Sequence, residues 1–86
     1  MTTAAEREYM GRVASLGCLI CGAPAQLHHP RDGQGKGQRA QNWLVVPLCQ
    51  ADHTGPEGIH NRRTFYARHR LDEWDLVAMT IERLNK

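Results

Sequence analysis

Apolar residues recur at helical spacing near both ends of the chain, while the middle alternates short apolar runs with turns. Near the start, Ala5, Tyr9, Val13 and Leu16 fall on one stripe of a helix over residues 3–16. Thr3 and Glu6 open it at capping-box spacing, and Gly17 supplies a C-terminal stop. Gly11 weakens this helix by up to ~1 kcal/mol relative to alanine. Toward the other end, Trp74, Val77, Ile81 and Leu84 predict a helix over residues 72–85, with Asp72, Glu73 and Asp75 suited to its positive N-terminal end.

Between these helices the pattern changes period. Residues 26–29 read as a short strand that Pro30 ends, and the run RDGQGKGQRAQ, residues 31–41, reads as a Gly-rich basic loop. NWLVVPLC, residues 42–49, is apolar and β-branched and predicts the main strand. TGPEG then predicts a turn, and residues 59–69 a helix whose apolar side rests on Ile59, Phe65 and Tyr66 among arginines. Strands and helices together predict an α+β chain.

Length changes this picture. At 86 residues the chain is expected to form one domain, 1–86, and domains of this size bury little apolar surface. Phe65 is the single phenylalanine, so a bound metal would relieve a shortage of core. Three cysteines, at 18, 21 and 49, cannot all pair with one another, which argues against a secreted disulfide scaffold and for a reducing, cytoplasmic setting. No charged and apolar leader is visible, and no apolar run approaches the ~18 residues of a membrane span, so no membrane partner is expected.

Net charge is only +2, but its distribution is uneven. Residues 28–70 carry seven basic residues (Arg31, Lys36, Arg39, Arg62, Arg63, Arg68, Arg70) against three acidic ones (Asp32, Asp52, Glu57). Positive charge therefore gathers around the histidines, as expected if a polyanion must approach them.

The histidines and cysteines are where chemistry is to be sought. Cys18, Cys21 and Cys49 offer three sulfur ligands to a tetrahedral zinc, and either Asp52 or His53 can close the site. His28 and His29 are adjacent on a predicted strand, whose pleat turns successive side chains to opposite sides. One of them can hold a metal while its neighbour acts on a water molecule.

The order of these features is specific: CxxC, then HH, then an asparagine entering a strand that ends PLC, then histidine within a few residues. It resembles the HNH endonucleases, the ββα-metal or treble-clef finger nucleases. PLCQADHTGPEGIHNRRTFYARH is similar to small phage and prophage HNH-like proteins related to the recombination-enhancement nucleases. The resemblance covers residues 18–69 and leaves both terminal helices outside it.

It implies a treble-clef finger whose structural zinc is held by Cys18, Cys21, Cys49 and Asp52, the aspartate standing where the family usually places Cys or His. It implies that His28, His53 and His60 ligate a catalytic ion, commonly magnesium, manganese, nickel or zinc in that family. His29 takes the place of the residue that removes a proton from the attacking water. Asn42 takes that of the amide that holds the catalytic histidine's loop or the metal water, with Asn61 as a second candidate. The implied activity is hydrolysis of DNA phosphodiesters in a bacterial or phage-infected cell.

Residue chemistry is consistent with that implication. A histidine near its ordinary pKa of ~6.5 can act as a general base. A cation held by neutral imidazoles keeps its charge for phosphate oxygens. Arg31, Lys36, Arg39, Arg62, Arg63 and Arg68 would hold DNA through its phosphates, without base readout. Two other readings remain: a zinc-stabilised DNA-binding or adaptor module that lacks turnover, and a metal-responsive or redox protein.

Overall fold

A computed structural model describes residues 2–35 and 40–86. Helix α1, Ala4–Ser15, begins at the expected capping box: Glu6 N–H donates to Thr3 Oγ1 at 3.1 Å and Thr3 N–H to Glu6 Oε1 at 3.0 Å. Its stripe is narrower than expected, because only Val13 is buried while Ala5 is exposed. The chain leaves the helix through Gly17 at φ +79°, where a Cβ would stand 3.0 Å from the Gly22 carbonyl oxygen. Glycine at this position lets the following cysteine turn fold back close to it.

Strand β1, Gln26–His28, pairs antiparallel with β2, Val46–Leu48, in the register Gln26 to Leu48, Leu27 to Pro47 and His28 to Val46. The strand expected over residues 42–49 is therefore only three residues long. Asn42–Leu44 form a 3-10 turn, which removes Asn42 from the strand. Pro47 has no N–H to give a ladder, and it is accommodated because this sheet has only two strands; its carbonyl accepts from Leu19 N–H at 3.1 Å.

After Cys49 comes a short helix that the sequence pattern did not predict, α2, Gln50–Thr54. The TGPEG turn follows and folds outward before returning: Ile59 N–H donates to Asp52 O at 2.8 Å and His60 N–H to His53 O at 3.1 Å. This return is tight. A Cβ on Gly55 would lie 2.5 Å from Ala51 O, and one on Gly58 2.7 Å from His53 O.

Helix α3, Arg62–His69, starts three residues later than residue 59, and Ile59 is buried in the turn before it. Helix α4, Glu73–Leu84, starts from Asp72 through a second capping box with Asp75. Its buried face is Glu73, Leu76, Val77 and Thr80, whereas Trp74 and Ile81 are about half exposed at 44% and 48%. The face expected from Trp74, Val77, Ile81 and Leu84 is thus rotated, with Val77 alone fully shared.

The core joins Cys18, Leu19, Val46, Leu48, Ile59, Phe65, Leu76 and Val77, so the architecture is α+β: a small hairpin clasped by helices. Among the described residues no helix is long and apolar enough to cross a membrane. Lys36 and Arg39 lie outside the described residues.

Candidate metal centres

Two groups of side chains could each hold a metal ion. The first is rich in sulfur. Cys18 follows α1 in a turn closed by Cys18 N–H to Ala23 O at 2.8 Å and Gly22 N–H to Cys18 O at 2.9 Å, and Ile20 N–H points at the Cys18 sulfur at 3.4 Å. Cys49 caps α2, and Asp52 sits one turn along it. Asp52 Oδ2 is 3.3 Å from Cys18 Sγ and 3.2 Å from Cys49 Sγ, while the Cys21 and Cys49 sulfurs are 3.7 Å apart.

These spacings match a tetrahedron around zinc. Zn–S bonds of about 2.3 Å place two sulfurs roughly 3.8 Å apart, and a Zn–O bond of about 2.0 Å places the oxygen roughly 3.5 Å from each sulfur. A disulfide would bring the sulfurs to about 2.0 Å, and all three cysteines are free. The donor chemistry agrees. At Cys49 the Asp52 backbone draws the thiol pKa down, but burial and the crowded Asp52, Cys21 and Cys18 groups outweigh it and push it up to about 12. Four acidic groups packed this closely favour a cation among them. Asp52, not His53, is the residue that stands with the sulfurs.

The second group is His28, His53 and His60, whose ligand atoms lie within 4.8 Å of one another. His28 ends β1 and is buried; His53 lies near the end of α2; His60 is returned to it by the TGPEG turn. Their rings stand 4.6–5.1 Å apart, and the Nε2 atoms of His53 and His60 face each other at 2.9 Å. Two imidazoles bound to one tetrahedral ion at about 2.0 Å would have nitrogens roughly 3.3 Å apart. Burial first, then the neighbouring His28 and His60 charges, lowers the His53 pKa to about 4; burial, His28 and Arg31 lower that of His60. Both rings are therefore neutral, as ligands must be, at pH 7.

Hydrogen bonds fix which nitrogens face inward. His53 Nδ1 meets the Gln26 Oε1 acceptor at 3.0 Å, which leaves Nε2 for a ligand role. His28 Nε2 meets Glu73 Oε2 at 2.5 Å, which leaves Nδ1. Glu73 is 1% exposed and also accepts from Arg31 N–H and Asp32 N–H, each at 2.8 Å. Burial raises its pKa, but these donors outweigh that effect and the net shift is downward, so the carboxylate stays ionised. A carboxylate behind a ligating histidine sets its tautomer and raises its basicity.

His29, next along the chain, makes a different contact. Its Nε2 lies 2.9 Å from Asn42 Oδ1, and Asn42 is aimed by donating to Glu6 Oε2 at 2.9 Å. With Nε2–H given to the amide, Nδ1 keeps its lone pair. Leu27, His28, His29, Arg31, His53 and His60 line one cavity of about 240 Å³. Asn61 points elsewhere, donating to Pro56 O at 3.2 Å and pinning the turn.

The arginines are less concentrated than expected. Arg31 borders the cavity, but Arg62 pairs with Asp32 at 3.3 Å and Arg68 with Glu57 at 2.6 Å. Arg63 lines a separate cavity with Ile59, Tyr66 and Leu71.

Sequence reasoning missed Glu73, Gln26 and the second use of Glu6. A signal for Glu73 existed: it falls in register with Leu76, Val77 and Thr80, a carboxylate inside an apolar stripe. No protein-family model, curated protein or solved structure matches the chain.

Proposed function

We propose that the chain is a metal-dependent DNA endonuclease of the HNH type, built on a zinc-bearing treble-clef finger. The observation that carries this reading is the convergence of His28, His53 and His60 on one cavity that His29 also lines. A pure staple has no need of a second, separate ligand set, nor of a histidine held by an aimed amide beside it.

When bound to the three imidazoles, a divalent ion supplies charge stabilisation to the phosphate oxygens. Zinc and nickel are better matched than magnesium or manganese to an all-imidazole set. His29 Nδ1 takes the proton from a water as that water's oxygen attacks phosphorus and the bond to the leaving oxygen breaks. Such a base is typically worth ~10²–10⁴-fold. Asn42 keeps the ring in the tautomer that exposes Nδ1. Arg31 borders the phosphate, and Arg62, Arg63 and Arg68 hold flanking phosphates; the pairs of Arg62 with Asp32 and of Arg68 with Glu57 are solvent-exposed and weak enough to exchange, while Arg62 Nε also stands 3.7 Å from the buried Glu73 carboxylate.

One observation favours the second reading, an adaptor module without turnover: the sulfur group is complete without any histidine, so it would hold the finger whether or not catalysis occurs. Conversion of supercoiled plasmid to open circles across magnesium, manganese, nickel and zinc separates the two. Nicking by the parent, lost in His29→Ala with metal content and DNA affinity retained, is expected for the nuclease. Equal rates in the two chains would remove His29 as the base, and tight zinc without nicking in any ion would favour the adaptor.

A further inference from the structure

His69 has no part in the reading above, yet its Nε2 is shut off from solvent and has no hydrogen-bond partner. Buried ring nitrogens are rarely left this way, because an unpaired polar atom keeps the cost of lost hydration with no return. The nearest oppositely charged atom is Asp52 Oδ1, 3.9 Å away, about 1 Å beyond a hydrogen bond. That oxygen is the one Asp52 turns away from the sulfurs, since Oδ2 is the atom in contact with Cys18 and Cys49. The buried donor of His69 therefore faces the carboxylate oxygen that the sulfurs do not use.

We propose that His69 is a positioning residue of the sulfur centre: its Nε2–H holds Asp52 Oδ1, so that the carboxylate ligates zinc through Oδ2 alone. This rests on the reading of that centre as a zinc site. His69 is not itself a ligand, for the group whose ligand atoms lie within 4.8 Å of one another stops at Asp52. The ring is held from behind by Phe65, whose centroid is 4.6 Å away and which is fully buried in the core. Being the last residue of α3, His69 also ties that helix to α2 through the aspartate. A small movement closes the gap, because a carboxylate bound through one oxygen can rotate its second toward a donor. A carboxylate is a weaker zinc ligand than the thiolate or imidazole more usual in closed sites, and a donor on its free oxygen compensates by fixing its orientation.

The test measures zinc affinity of the full chain by competition with a chromophoric chelator, for the parent, His69→Phe and His69→Gln. Phenylalanine keeps the packing on Phe65 and removes the donor; glutamine supplies an N–H. A loss of about 10–100-fold in His69→Phe, partly restored in His69→Gln, is expected, with the cobalt-substituted protein still showing three thiolates in both. Unchanged affinity in His69→Phe overturns the proposal while leaving the zinc site standing; a parent that takes up no zinc overturns the zinc site itself. The parent alone gives a second reading. In its zinc-loaded form, long-range proton–nitrogen spectra should show His69 protonated at Nε2, and a bare Nε2 overturns the role whatever the variants do.

Discussion

Replacing Glu73 by glutamine exchanges one oxygen for an NH₂ group at nearly constant volume, in a place where both oxygens are in use. Oε2 accepts from His28 and from Arg31 N–H, and Oε1 from Asp32 N–H. If the amide oxygen takes the Oε2 position, the NH₂ faces the Asp32 N–H, two donors together; if it is flipped, His28 and Arg31 meet the donor instead. The first arrangement is cheaper. It leaves the N–H of the partly exposed Asp32 without its acceptor, at the lower end of about 1–3 kcal/mol, loosens the 3.7 Å pairing of Arg62 with Oε1, and halves the strength of two charge-assisted bonds, for a total of about 2–4 kcal/mol. The same change slackens the tautomer of His28, which should weaken a divalent ion on the three imidazoles by about 10–100-fold. Urea unfolding of the zinc-loaded chain reads the first effect and titration with nickel reads the second. Parent-like stability together with parent-like nickel affinity in Glu73→Gln would show that Glu73 is a buried bystander, and the link from α4 to the imidazoles would be refuted.

Further expectations concern metal, acid and the turn. Cys49→Ser, or a strong chelator, should remove the structural ion and unfold the domain, seen as loss of far-ultraviolet ellipticity, because binding and folding are linked in a core this small. Glu73 has a pKa depressed in the fold, so its contribution is present above the ordinary carboxylate range and is lost as pH falls through its folded value; acid unfolding followed by fluorescence should lose this sensitivity in Glu73→Gln. The His53 ring, with its pKa lowered to about 4, should stay neutral well below pH 6.5 when the imidazole site is free of metal, as read from its proton shifts, and an ordinary midpoint would contradict its burial among the other two rings. Gly58→Ala places a Cβ 2.7 Å from His53 O, which should displace the His60 return and weaken nickel binding more than zinc binding.

The parts of this molecule that were legible in the sequence are those whose cause is local. Thr3 with Glu6 and Asp72 with Asp75 cap their helices through bonds three residues apart, and Pro30 bounds a short strand. CxxC spacing likewise announces a sulfur centre, since the turn between the two cysteines is set by its own backbone. What the sequence hid depends on tertiary contact. Asn42 was expected on a strand, but the chain coils into a 3-10 turn there, and its amide meets His29 because Glu6, on a distant helix, aims it. Helix α4 was read with Trp74 and Ile81 inward, because bulk and hydropathy suggest it. The structure instead buries Glu73, whose ionised group is tolerable only where His28 and two backbone donors converge on it, and Trp74 lies outside with its indole N–H on Asp32 at 2.6 Å. His69 is hidden for the same reason: its neighbour Asp52 is seventeen positions back and a helix away.

The claim at the centre is that three imidazoles share one exchangeable ion beside a cysteine-bound zinc. Calorimetric titration of the zinc-loaded chain with nickel, in parallel for the parent and His53→Ala, measures it directly. One further ion per parent chain, absent in His53→Ala, with plasmid nicking rising in step with occupancy, is the outcome this account predicts. No second ion in the parent, or nicking that proceeds at full rate without it, would contradict the account.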